Sequence, residues 1–160
     1  MTTHGTITHK CKWLIQEWDG TPPSDPDDLL KAYYKGHGRM INNTITNGGI
    51  AEMAKRNTGQ STSTTNKMLL GSANSPTPLA SQTALSAQTG SVNITSRTVE
   101  DTTERYLATA TTASVSNNNL GELGLAANSL LISRVVVNPR ILFVSGKTYT
   151  LMALMTHQAS

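Results

Sequence analysis

From Gly5 to Trp18 the chain alternates, with Ile7, His9, Cys11, Trp13 and Ile15 at one parity and Thr6, Thr8, Lys10 and Lys12 at the other. A period of two sends successive side chains to opposite faces, so this segment predicts a half-buried strand. The pattern breaks at "DGTPPSDPDD", Asp19 to Asp28. Pro22, Pro23 and Pro26 cannot donate to a ladder or continue a helix, which predicts an exposed loop. Leu29, Leu30, Tyr33 and Tyr34 fit either a short helical turn or a second strand. Thr46 to Gly59 predicts a helix of two to three turns, roughly, by its cap and stop residues. Thr46 or Asn47 caps it, Ile50, Met53 and Ala54 share a face, and Asn57 and Gly59 end it.

Beyond the helix the pattern is that of short strands. "KMLLG", Lys67 to Gly71, is apolar and brief, and "SANSPTPLASQTAL" is a long connection of the kind that usually forms a functional surface feature. Ser91 to Val99 and Thr103 to Val115 are rich in β-branched residues, which suit a pleated surface. "SLLISRVVV" and "KTYTLMALM" add two more strands, with turns at Asn117–Asn119 and Val144–Lys147. Together these elements predict a mainly β chain: an antiparallel β-sandwich of jelly-roll or related type with one short α-helix. The expected organisation is a single domain, 1–160. Residues 1–39 give an N-terminal strand and a Pro/Asp-rich extension, and 40–160 give the sandwich body.

The most apolar stretch, "GELGLAANSLLISRVVVNP" from Gly121 to Pro139, nevertheless contains Glu122 and Arg134. In an alternating strand Leu130, Ile132, Arg134 and Val136 face one way, and Leu131, Ser133, Val135 and Val137 the other. An unpaired charge on such a face costs on the order of several kcal/mol. Arg134 is therefore expected to pair with Glu122 or with a neighbouring subunit's carboxylate, or to lift its head to solvent over an apolar stem. Glu122 and Arg134 are the candidate structural ion pair, and Arg134 is also a candidate interface residue.

Composition narrows the function classes. Only 14% of the 160 residues are charged and the net charge is +3, far from the dense basic patches that neutralise phosphates. Cys11 is the single cysteine, so neither an intrachain disulfide nor a Cys-based zinc cluster can form. The N-terminus lacks the charged and apolar regions of a secretory signal. Arg134, Pro139 and Arg140 interrupt the apolar region before the ~20 residues of a membrane span. No specific nucleic acid and no membrane is therefore expected as partner.

The titratable groups do not assemble a catalytic pattern. His4, His9, His37 and His157 are scattered, and His9 beside Cys11 on one strand face is read as an imidazole next to a small buried thiol. Asp25, Asp27 and Asp28 lack the spacing and distal Glu of a calcium loop, and "GHG" lacks the context of a dinucleotide loop. No catalytic residue, cofactor site or metal site is expected, and the chain is not expected to be an enzyme. Trp13 reads as core. Trp18, Tyr33 and Tyr34 lie beside the polar loop and are candidate protein-interface residues, where Tyr and Trp are enriched. Truncating Trp18 is accordingly expected to weaken assembly more than folding.

Three segments carry a family likeness. "MINNTITNGGIAEMAKRNTG", "KMLLGSANSPTPLASQTAL" and "LGELGLAANSLLISRVVVNPRILFVSGKTYTLMALM" resemble, in order and spacing, a widespread class of small tailed-bacteriophage virion proteins. That class looks like a strand leading into an "N-x-x-T-N-x-G-[IL]" helix, an "[IL]-G-x-[GA]" strand end and a "P-x-[AP]-S-x-T-A-L" loop. An "E-x-G-L … L-[IL]-x-R-V" strand pair and a closing "G-x-x-[YL]-x-[LV]" strand complete it. Here the elements fall on Asn43–Ile50, Leu70–Ala73, Pro78–Leu85, Glu122–Val135 and Gly146–Leu151. The chain departs at Ser72, where many relatives carry Thr, and in the Pro/Asp-rich segment after Trp18. The resemblance implies a structural virion protein made in the host cytoplasm, either a capsid cement or decoration protein or a tail, baseplate or fibre-attachment component. The implied partners are the major capsid protein or other virion subunits, with the chain itself a homo-oligomer. A carbohydrate-binding module is the reading from a different class.

Overall fold

A computed structural model describes residues 7–159. Its elements are β1 (Ile7–Asp19), α1 (Pro26–Tyr34), β2 (Arg39–Ile45), α2 (Asn47–Asn57), β3 (Lys67–Gly71), β4 (Gln88–Asn93), β5 (Ser96–Glu100), β6 (Thr103–Ala110), β7 (Asn119–Ala127), β8 (Leu130–Leu142) and β9 (Lys147–Ala159), with one 3-10 turn at Thr112–Ser114. Strand accounts for 51% of the described residues, so the protein is mainly β, and two helices form there rather than one. All nine strands are antiparallel and hydrogen-bond in the order β4-β3-β7-β8-β2-β1-β9-β6-β5, where the sequence predicts two packed sheets.

The strand order explains the shape. β4 and β5 are the two ends of the sheet, yet only Ile94 and Thr95 separate them in sequence. Two linking residues span roughly 10 Å at most. The sheet must therefore curl until its ends nearly meet, giving a half-barrel. β2 is the corner. Cys11 to Ile15 of β1 pair with Asn43 back to Arg39, whereas Thr44 and Ile45 pair with Arg134 and Ser133 of β8. The result is two walls, β2-β1-β9-β6-β5 and β4-β3-β7-β8-β2, that share one strand.

One core fills the curl. Cys11, Trp13 and Ile15 of β1 meet Tyr106, Leu151 and Ala153 from their own wall and Met68, Leu70, Leu123 and Leu125 from the other. Alternation then sends Leu14 of β1, Leu107 of β6 and Met152 of β9 outward, where Leu29 of α1 covers them in a second, smaller cluster.

Several local expectations are corrected. The loop after β1 ends at Asp25, whose Oδ1 accepts from the Asp27 amide at 2.9 Å and starts α1. Pro26 occupies the first turn, where its missing N–H costs nothing. On α2 the buried residues are Gly49, Glu52 and Met53, while Ile50 and Ala54 face out. Gly49 sets that rotation, because a methyl there would overlap the Ile132 carbonyl of β8. Ser91–Val99 is not one strand but the end of β4 and the start of β5, broken at Ile94 and Thr95. In β8, Ile132 is an extra residue between the pairs Leu125–Ser133 and Ala126–Leu131. This bulge turns Ile132 into the core and leaves Leu131 on the side of Arg134, so strict alternation fails there.

Candidate protein interface

The wall built on β1 presents Lys10, Lys12, Leu14, Gln16 and Trp18 outward, opposite Thr156, Leu154, Met152, Thr150 and Thr148 of β9. The helix α1 lies over part of this face. It is held by Leu29, which is fully buried, and by Gln16, whose Nε2 donates to the carbonyls of Leu29 and His37 at 2.9 Å each. Arg105 on β6 ties its first turn through Asp27 at 2.6 Å.

Nine helical residues reach about 14 Å, whereas the thirteen of β1 reach roughly 40 Å. Much of the outer face is thus left uncovered. What remains is a groove of about 610 Å³ that includes Lys10, Lys12, Leu154, Tyr34, Leu30 and Met40, with Glu100, Asp101 and Arg105 also on its lining. Tyr34 is 79% exposed, and its ring tilts against half-buried Tyr33 at 5.6 Å. Lys10 and Lys12 are exposed, and neither has a carboxylate within ion-pair distance among the described residues. The groove therefore combines charges of both signs, an aliphatic floor and an aromatic rim, which suits a partner's side chains rather than a small polar substrate.

Of the residues expected at an interface, only Tyr34 lines the groove; Tyr33 packs on the small cluster beneath α1. Trp18 is half-buried at another part of the same face, its Nε1 donating to Thr150 at 2.9 Å and its ring stacked on His37 at 4.2 Å. Trp18 is consequently a packing residue as well, and its truncation is expected to lower stability. Arg134 lies on the other wall, where it is fully buried. Its Nε donates to Glu122 at 2.7 Å, and its terminal nitrogens donate to the Pro76 carbonyl, Gln82 and Ser86 at 2.9, 3.2 and 3.1 Å. Glu122 accepts further bonds from the Ser86 and Ala87 amides at 3.0 and 2.6 Å. The pair is intrachain, and it fastens the connection between β3 and β4 to the sheet, so Arg134 is not available to a neighbouring subunit. Gly124, opposite Arg134 on β7, makes room for Leu85 of that connection.

Other sequence candidates are placed as follows. Cys11 is buried inside the curl with Asn43 Nδ2 donating to its sulfur at 3.4 Å, and burial pushes its thiol up to about 11. A thiolate nucleophile does not form under those conditions. Asp25 caps a helix, Asp27 pairs with Arg105 and Asp28 with Lys31, and no cluster of three or more His, Cys, Asp or Glu side chains is placed to hold a metal among the described residues. His4 lies outside the described residues. No helix among them is long and apolar enough to cross a membrane. Sequence reasoning missed the groove itself: the parity of Lys10 and Lys12 marked their face, but not that a short helix would leave it open. Comparison with family models, with curated proteins and with solved structures finds no match to this chain.

Proposed function

We propose that the chain is a structural protein of a tailed-phage virion, a capsid cement or decoration protein that binds the assembled major capsid shell. The observation that carries this reading is the groove beside α1, with Lys10 and Lys12 unpaired among the described residues, above Leu154 and next to exposed Tyr34. A subunit edge offering apolar side chains, with carboxylates placed towards Lys10 and Lys12, complements it, and Tyr is a frequent anchor at such contacts. The resemblance of residues from Met40 onward to virion proteins supports the setting. The sandwich relation belongs to the same proposal, since the two walls pack through one core as two sheets do.

The mechanism is thermodynamic. A protein that binds the assembled shell and not its dissociated subunits stabilises the shell by mass action, and symmetric copies repeat the gain around each axis. No catalytic step, cofactor, nucleic acid or membrane enters the proposal. Shells prepared with and without the protein test it: the decorated shell is expected to disassemble at a higher temperature, and Lys10→Glu with Lys12→Glu to remove the difference. Equal heat resistance of bare and decorated shells would contradict it.

A tail, baseplate or fibre-attachment role uses the same groove on a different neighbour. Hundreds of copies over the shell fit cement, and small multiples of three or six at one vertex fit the tail. A carbohydrate-binding role draws less support, because the Trp18 ring already stacks on His37 and leaves Tyr34 as the aromatic platform.

A further inference from the structure

β1 and β9 run side by side as an antiparallel ladder in which His9 stands directly opposite His157. The two rings meet edge to face with centroids 4.9 Å apart, and their Nδ1 atoms are 2.7 Å apart. Two neutral imidazole nitrogens approach so closely only with one hydrogen between them, one nitrogen donating and the other offering its lone pair. Glu104 of β6 decides which. His157 Nε2 lies 3.3 Å from Glu104 Oε2, and a carboxylate there requires a donor. His157 therefore carries its hydrogen on Nε2 and turns a bare Nδ1 towards His9.

Glu104 is itself held, accepting from the Tyr106 hydroxyl at 2.9 Å and lying 3.9 Å from Arg97. An imidazole whose far nitrogen donates to a fixed carboxylate has the orientation and basicity of a metal-binding histidine. Both histidines also border a cleft of about 360 Å³ at the mouth of the curl, lined further by Met53, Arg56 and Asn57. Solvent in that cleft gives an ion both a route in and water ligands. Arg56 is paired with Glu52 at 3.5 Å and Arg97 with Glu104, so neither guanidinium is an uncompensated charge facing the rings.

We propose that His9 and His157 chelate a divalent transition-metal ion of the zinc type through their facing Nδ1 atoms. The ion takes the place of the shared hydrogen: two Nδ1–metal bonds form, His9 gives its Nδ1 proton to solvent and takes one from solvent on Nε2, so that it binds as the neutral Nε2–H tautomer with no net proton released, and water fills the remaining positions. Tetrahedral zinc with nitrogens at ~2.0–2.1 Å sets them ~3.3 Å apart and places the ion off the line between them, so both rings turn by ~35° as it enters. Bound there, the ion joins the first and last strands across one rung and gives the cleft a Lewis-acid floor.

Zinc titration of the full chain by calorimetry at neutral pH tests this, in a His4→Gln background that leaves His37 common to every variant. One zinc per chain is expected. Glu104→Gln should weaken binding about 10- to 100-fold, as loss of a supporting carboxylate does. His9→Gln or His157→Gln should weaken it at least as much, and the double variant should abolish it. Nitrogen-detected NMR of the unmutated site should show the shared Nδ1 hydrogen lost as zinc is added. Zinc uptake equal in the parent and the double variant, or an Nδ1 hydrogen that persists at saturating zinc, would overturn the proposal.

Discussion

The two walls of the curl treat their outer faces in opposite ways. On the wall of β7 and β8, the connection from Ser72 to Ala87 closes over the sheet and is fastened by the buried Glu122–Arg134 pair, each charge saturated by the chain's own groups. On the wall of β1 and β9, α1 covers a third of the strand length or so, and Lys10 and Lys12 stand without a carboxylate in ion-pair distance among the described residues. Charge that is enclosed and fully bonded specifies the fold, because its removal leaves an unpaired partner in a dry site. Charge left open beside apolar surface is available to another molecule. The difference teaches where to look for function: on the wall left open.

The closed wall should be the more sensitive. Arg134→Ala strands Glu122 and is expected to cost about 3–5 kcal/mol, read from urea denaturation. Replacing both, with Glu122→Leu and Arg134→Met, should cost less than that single change, since no charge remains unpaired. A double variant as damaged as the single would remove the contrast between the walls. Leu29→Ala tests whether α1 is held by its own small cluster, and about 2–5 kcal/mol should be lost. Early proteolytic cleavage between Gly20 and Gly38 would accompany that loss.

Acid provides a weaker, graded perturbation at the mouth. His9 has a lowered pKa in the folded chain, chiefly from burial. The unfolded chain therefore takes up a proton first, near the ordinary value of 6.5, and stability should fall as pH drops below it. His9→Gln should flatten that slope in melting curves recorded across mild acid. Smallest of all, Lys10→Glu with Lys12→Glu should leave stability within about 0.5 kcal/mol, as exposed substitutions usually do. A large loss would mean that the open face is structural after all.

Much of the local structure was legible in the sequence, and little of its assembly. The alternation from Ile7 to Trp18 gave the faces of β1 correctly, and Thr46 announced α2 by its capping oxygen, which accepts from the Gly49 amide at 3.0 Å. The charge at Arg134 announced a partner or a route to solvent, because an isolated charge on that face is too costly, and of the outcomes it left open the pair with Glu122 is the one that forms. What failed depends on distant partners. The rotation of α2 is set by Gly49 against Ile132, the bulge at Ile132 by its pairing with β7, and the break at Ile94 by closure of the curl. His9 meets His157 across almost the whole chain, so no local pattern reveals the pair.

The central claim is that the open wall is the docking surface of a virion subunit. A density map of the assembled particle tests it most directly. The chain should lie on the shell with Lys10, Lys12 and Tyr34 against a neighbouring subunit and the Ser72–Ala87 side turned elsewhere. A particle in which that groove faces solvent, or which lacks the chain altogether, would contradict the account.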